Sequence, residues 1–218
     1  MSAPVKTNQP LPIRAPIALY GARTGNCIRA AIALEEAELP YVVHKIDLRN
    51  GEQRRAPYLS LNPIGQVPTI VELADGASPL VVTQSNAIML YAAELAPGRL
   101  LPKHGEAQRA RVVERFFFFV TDVIAPNYAA FLVRRQGVSE VALMLDGRAL
   151  QAVRRAENHV SKTVFMAGDD FTIADIAAFT ITAFYKPHLD WDELPNLRRW
   201  FGELEARPSI VRGYQAFS

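Results

Sequence analysis

Two short runs in this 218-residue chain carry groups that could hold a small anionic ligand: Leu61-Asn62-Pro63-Ile64-Gly65-Gln66-Val67-Pro68-Thr69-Ile70 and Val82-Thr83-Gln84-Ser85-Asn86-Ala87-Ile88. Proline cannot donate to a sheet ladder, so Val67-Pro68 ahead of strand-like residues predicts a bent strand entry, of the kind a cis X-Pro bond makes. A cis bond would turn the N–H and C=O of Val67 outward, where an extended peptide can pair with them. Gln84 and Ser85 follow an apolar strand and open a helix. The first N–H groups of a helix lack internal partners and suit a carboxylate. A strand edge on one side and a helix tip on the other suit a small anionic peptide. The four histidines (His44, His104, His159, His188) are scattered and there is one cysteine, so no metal site is expected.

The elements that must position these groups are legible from periodicity. Ile17 to Tyr20 reads as a strand, and Asn26 to Glu38 as a helix, with Ile28, Ala31, Ile32, Leu34 and Glu35-Glu36 in a 3.6-residue period. Tyr41 to Leu48 alternates as a strand does, and Asn50 to Leu61 reads as a loop with one irregular helix. Val67 to Glu72 and Leu80 to Val82 form a hairpin around Ala74-Asp75-Gly76-Ala77-Ser78-Pro79, and Gln84 to Leu95 is a helix. The order βαβαββα is a thioredoxin-like α/β half. Beyond Leu100-Leu101-Pro102 no strand pattern survives. Helices are expected over Glu106 to Gln136 (interrupted near Ala125-Pro126), Ser139 to Thr163, Thr172 to Phe184 and Leu194 to Ala206. Thr172 and Asp175 have capping-box spacing at the start of the third. The domain reading is a flexible arm at 1–15, an α/β domain at 16–97, a linker at 98–105 and an all-helical domain at 106–218. The run Phe116 to Phe119 must face several directions, inward and toward a partner subunit or a cleft.

Composition narrows the class. Half of the residues are hydrophobic, enough for a sizeable core, and the net charge of +2 argues against a nucleic-acid or membrane-surface protein. No run reads as a membrane span, and the proline-rich first fifteen residues do not read as a signal peptide. A single cysteine excludes an internal disulfide and fits a reducing cytoplasm.

Taken in order, these parts resemble the cytosolic glutathione transferase family over nearly the whole chain, from Ile17 onward. The resemblance implies that the ligand is glutathione, a co-substrate whose own thiol reacts, and that the protein is a homodimer. A charge-assisted hydrogen bond contributes about 1.5–3 kcal/mol, which lowers a thiol pKa by roughly 1–2. The donor is expected in Tyr20-Gly21-Ala22-Arg23-Thr24-Gly25-Asn26-Cys27-Ile28-Arg29, where the helix N-terminus adds its field. Thr24 and Asn26 are similar to the Thr-Pro-Asn motif of nu-class transferases; read without that resemblance, Asn26 caps the helix and Thr24 is loop. Tyr20 lies where mu- and pi-class enzymes place a catalytic tyrosine. Cys27 stands at a helix start, where a thiol pKa falls, although lone cysteines are usually small buried hydrophobes.

The segment Ala33-Leu34-Glu35-Glu36-Ala37-Glu38-Leu39 and Gln53 also look nu-like. The chain departs from that pattern at Gly25, Cys27 and Gln84, which stand where proline, glycine and glutamate are expected. Glu114 and Asp122 are candidates for a compensating acid across a dimer, and Arg134, Arg135 and Arg148 for a cleft arginine. The resemblance places the cysteinyl backbone of glutathione on Val67-Pro68, its γ-glutamyl end on Gln84 and Ser85, and the rest along Gln53 and Gln66. Tyr128, Phe131 and Tyr185 are expected near the second substrate. The nu likeness implies glutathione-dependent disulfide reduction, with weaker conjugation and peroxide reduction. The alternatives are ordinary conjugation, or a non-catalytic interaction protein with the same fold. A thioredoxin-type redox protein lacks the Cys-x-x-Cys it needs.

Overall fold

A computed structural model describes residues 16–73 and 78–218. The arm at 1–15 and the hairpin turn at 74–77 lie outside the described residues. The first half runs β1 (Ile17–Gly21), α1 (Gly25–Glu36), β2 (Tyr41–Lys45), a 3-10 turn (Glu52–Arg54), α2 (Ala56–Leu59), β3 (Thr69–Glu72), β4 (Leu80–Thr83) and α3 (Ser85–Leu95). The sheet order is β2-β1-β3-β4, with β1 parallel to β2 and antiparallel to β3, and β3 antiparallel to β4. This is the expected mixed α/β arrangement. β2 ends at Lys45, earlier than alternation suggested, and Thr24 rather than Asn26 caps α1, its hydroxyl accepting from the Cys27 N–H.

The second half is helical: α4 (Ala107–Phe118), a π-helical turn (Phe119–Ile124), α5 (Ala125–Arg135), α6 (Ser139–Arg155), α7 (Glu157–Val160), α8 (Ile173–Tyr185), a 3-10 turn (Lys186–His188), α9 (Pro195–Glu205) and α10 (Pro208–Gln215). The interruption expected near Pro126 falls just before it. Proline has no N–H to complete the i→i−4 ladder, and the wider π turn ahead of it accommodates the mismatch. The expected helix over Ser139 to Thr163 divides into α6 and α7, and α10 was not anticipated. By length and composition alone the run Ala107–Arg135 is long and apolar enough to cross a bilayer, against the expectation above. Only 22% of its most apolar window is buried inside the molecule.

The core is continuous across both halves. Cys27 to Leu34 are all buried, because α1 is covered by α3, α8 and α10 and shares one core with Ile17 and Leu19 of β1 and Ile70 of β3. α8 is buried almost throughout, and its capping box forms as expected. Asp175 accepts from the backbone of Met166 (2.9 Å) and Thr172 (3.0 Å), from the Thr172 hydroxyl (3.1 Å) and from Trp200 Nε1 (2.9 Å). Burial pushes its carboxyl up to about 6, against those four donors.

The last helix ties the halves together. Arg207 and Ser209 both donate to Glu36, and Arg212 pairs with Glu35 at 2.5 Å. Although burial opposes it, those partners hold the Glu36 carboxyl below its usual range. Between these contacts α10 lies directly on α1. A Cβ on Gly213 would stand 2.4 Å from Ile32 Cγ1 and 3.1 Å from the Ile32 backbone nitrogen. Gly213→Ala should therefore lower stability by about 1–3 kcal/mol, and Gly202→Ala, with open space around it, should not. Thermal melts of the two variants check this.

Candidate functional site

Strand register assembles the site. Tyr20 of β1 is opposite Thr69 of β3, which is opposite Thr83 of β4. The segment after Tyr20, the segment before Thr69 and the segment after Thr83 therefore meet at one sheet edge. Those segments carry Thr24 and Asn26, Gln66 to Pro68, and Gln84 and Ser85.

At the first segment, Thr24 Oγ1 lies 3.1 Å from Cys27 Sγ and can donate to it, while accepting from Cys27 N at 3.3 Å. Thr24 and Asn26 are half-buried. Cys27 is wholly buried, and burial pushes its thiol up despite hydrogen bonds from Thr24 and the Ala22 N–H. Tyr20 stacks on His44 with centroids 4.6 Å apart and tilts against Tyr58. Its ring belongs to that aromatic cluster.

The second segment is locked from behind. Val67–Pro68 is cis, as the sequence suggested. The Gln66 carbonyl accepts from Tyr58 OH at 2.6 Å and from Asn62 Nδ2 at 2.7 Å, and Asn62 Oδ1 accepts from Ile64 N at 3.1 Å. Among the described residues nothing takes the Val67 N–H or C=O, so both remain open for pairing. Gly65, at φ +65, lies where a Cβ would be 2.9 Å from the Gln53 carbonyl oxygen. The Gln53 backbone therefore passes close against Gly65, the neighbour of Gln66 in sequence, and Gln53 Oε1 is buried without a partner.

The third segment is strained. Gln84 has φ 71° and ψ 113°, outside the comfortable range of a residue with a Cβ. Its side chain does not cap α3, leaving the first N–H groups there unpaired by it. Ser85 is buried, Gln84 is exposed, and Asn86 Oδ1 is buried without a partner.

The helical half reaches this edge at Gln66, whose Nε2 donates to Tyr128 OH at 2.9 Å. Phe131 stacks on Tyr128 with centroids 6.3 Å apart, and Arg135 lies over Phe131 at 5.7 Å. Both rings are exposed. Tyr185 is different. It is 2% exposed, and its hydroxyl accepts from Asn127 Nδ2 at 3.1 Å and donates to Asp146 at 3.3 Å. Burial raises its phenol to about 12. It is a core residue of the helical half, apart from the exposed Tyr128 and Phe131. Arg134 pairs with Asp146, Arg148 is exposed, Glu114 pairs with Arg111 and Arg115, and Asp122 accepts from Thr121. Among the described residues no group of three or more potential metal ligands is present. Tyr58 and Asn62 escaped the sequence reading; the Asn62-Pro63 turn was their only signal.

Comparison with known proteins agrees with this architecture. Residues 25–95 match the family model for the N-terminal domain of glutathione S-transferase, and residues 120–208 the one for its C-terminal domain. The chain is 30% identical over 208 residues to the disulfide-bond oxidoreductase YfcG of Escherichia coli, covering 88% of this chain and 92% of that protein. It is 31% identical to glutathione S-transferase 1 of Zea mays, covering 91% and 95%. A crystal structure of a glutathione transferase family member from Pseudomonas fluorescens, with two glutathione bound, superposes with a TM-score of 0.80 at 26% identity, covering 94% and 95%. The chain belongs to the glutathione transferase family.

The strained backbone at Gln84 generates a test. Gln84→Gly should raise the melting temperature by a few degrees, because such strain costs about 1–3 kcal/mol, more than the ~1 kcal/mol entropy cost of glycine. A thermal melt that falls instead would show that the side chain holds the start of α3.

Proposed function

We propose that this protein binds glutathione at the edge formed by Thr24, Val67 and Gln84, ionises its thiol, and uses it to reduce disulfide bonds. The observation that carries the reading is the register Tyr20, Thr69, Thr83 across three strands, which brings the three motifs together. The cysteinyl backbone of glutathione pairs with the open N–H and C=O of Val67. Its γ-glutamyl carboxylate rests on the first N–H groups of α3 at Ser85, with the Gln84 amide beside it. Gln53 and Gln66 hold the tripeptide on the outer side.

Thr24 and Asn26 then face the sulfur. The Thr24 hydroxyl, which reaches Cys27 Sγ at 3.1 Å, turns its proton to the ligand thiolate. One such charge-assisted bond lowers the thiol pKa by roughly 1–2. The thiolate attacks one sulfur of a substrate disulfide; the S–S bond breaks, a mixed disulfide forms, and the other sulfur leaves as a thiolate and takes a proton. A second glutathione thiolate attacks the glutathione sulfur of that mixed disulfide. This releases the second substrate thiol and glutathione disulfide; the two electrons that the glutathione thiolates give up stay with the two substrate thiols. Both electrons come from glutathione, since Cys27 is the chain's one cysteine and is buried. The likeness to YfcG and to a structure with two glutathiones supports this choice over conjugation, which uses the same thiolate.

The nu-class assignment rests on Thr24 and Asn26, and cytoplasmic residence on the single cysteine. A homodimer is supported by the apolar face left open on α4 and α5, where Phe117 is half exposed, and by the exposed Leu80 and Val81 on the edge strand β4. Tyr128 and Phe131 flank the mouth for the second substrate.

Calorimetric titration with reduced glutathione and with glutathione disulfide tests the reading. It predicts binding of the disulfide, or of two reduced molecules per subunit. Thr24→Val should lower disulfide-reductase kcat/KM about 10-fold or more, the loss of one charge-assisted hydrogen bond. One reduced molecule bound with no effect of Thr24→Val would favour conjugation through another donor. No binding of either form would leave a non-catalytic interaction protein.

A further inference from the structure

Arg29 stands on the buried side of α1, 2% exposed, and its Nε and Nη1 have no hydrogen-bond partner. A buried cation without a counter-charge costs several kcal/mol, and an apolar side chain of the same size would be cheaper. Every acidic group on the elements packed around α1 is engaged elsewhere. On α1 itself, Glu35 and Glu36 are held by Arg212, Arg207 and Ser209. On α3, Glu94 pairs with Arg109, and on α8, Asp175 serves Met166, Thr172 and Trp200. On the sheet, Glu72 accepts from Tyr91, Tyr41 donates to Glu35, Tyr20 stacks on His44, and Lys45 donates to the Ser218 backbone. The groups whose charge reaches Arg29 are Cys27 and, from α10, Tyr214. Burial raises both above their ordinary values, so both are neutral near pH 7.

The guanidinium leans toward the start of its own helix. Its Nη2 lies 3.8 Å from the position of a Cβ on Gly25, the first residue of α1 and the neighbour of Thr24 and Asn26. The positive end of the α1 dipole is at the same place. We propose that Arg29 is a positioning residue for the reacting sulfur: its buried, unpaired guanidinium is the standing positive charge whose counter-ion is the ligand thiolate at the N-terminus of α1.

This role rests on the placement of the glutathione sulfur against Thr24. Arg29 touches neither ligand nor reacting atoms. It acts through space, and through Gly25 and Cys27, in an interior where a neutral Cys27 does not cancel it. A unit charge ~7 Å from another at an effective dielectric of ~20 moves an ionisation by on the order of one to two pH units. The sign is fixed: a cation favours the thiolate, so the thiol of bound glutathione ionises at lower pH with Arg29 than without it.

The test is an ultraviolet titration of the thiolate of bound glutathione, read as a difference against the same protein without glutathione, in the full chain. The variants are Arg29→Met, Arg29→Lys and Thr24→Val. Arg29→Met should move the ionisation up by about one pH unit, roughly tenfold less thiolate on the acid side, and shift the acid limb of kcat/KM equally. Arg29→Lys should restore most of it. The Arg29→Met melting temperature should not fall, because an apolar side chain replaces an unpaired ion. An Arg29→Met protein that titrates like the wild type would overturn the role. If Arg29→Met does not fold, Arg29→Gln against Arg29→Lys decides: a shift in Gln alone supports the role, and equal titrations overturn it. A Thr24→Val shift without an Arg29 shift removes only this inference. A wild-type protein that binds no glutathione, or no shift in Thr24→Val, removes the site reading beneath it.

Discussion

The structure depends on the enclosure of one helix. α1 runs from the proposed chemistry at Thr24 to the ionic clasp at Glu35 and Glu36, and between them is covered by α3, α8 and α10 and shares one core with β1 and β3. The contact with α10 is close enough that Ile32 tolerates no side chain on Gly213. Enclosure on this scale fixes the helix in both rotation and translation, because a packed interior has few alternative arrangements. The N-terminus of α1, with Thr24 as its cap, then has one place relative to the sheet edge. The same enclosure buries Arg29, whose Nε and Nη1 find no hydrogen-bond partner. Stability and the proposed thiol chemistry are therefore two consequences of one packing decision.

The sheet half was legible because its signals are local. A short apolar run marked β1, alternation marked β2, Pro68 marked the bent entry to β3, and the Gln84-Ser85 pair marked the start of α3. The helical half was legible where amphipathic spacing was sustained and capping chemistry marked a start, as at Thr172 and Asp175. It was less legible where tertiary contacts decide. α10 is eight residues long, too short to be marginally stable alone, and exists because Gly213 and Ile210 lie against the core. The division of Ser139 to Thr163 and the early end of β2 are similar: the periodic pattern continues in sequence after the packing partner has ended.

The candidate site divides along the same line. Thr24, Val67, Pro68, Gln84 and Ser85 sit in short runs whose residue types already imply open backbone or helix-end groups. Gln53 and Gln66 needed the resemblance to a family, and at Gly65 the backbone passes close to the Gln53 carbonyl. Tyr128 and Tyr185 read alike as aromatic residues on helices. One is exposed and bonded to Gln66, while the other is buried against Asn127 and Asp146. No local pattern separates them. Tyr58 and Asn62 brace a carbonyl eight and four residues further along, through an irregular turn that periodicity does not describe, while the burial of Arg29 depends on helices distant in sequence.

The central claim is that glutathione lies across one sheet edge with its sulfur at Thr24. A crystal structure of this protein grown with glutathione disulfide tests it directly. The account predicts a sulfur within hydrogen-bond distance of Thr24 Oγ1, two backbone bonds from the cysteinyl unit to Val67, and the γ-glutamyl carboxylate on the N–H groups at Ser85. Glutathione bound with its sulfur against Tyr20, or away from this edge, would contradict it.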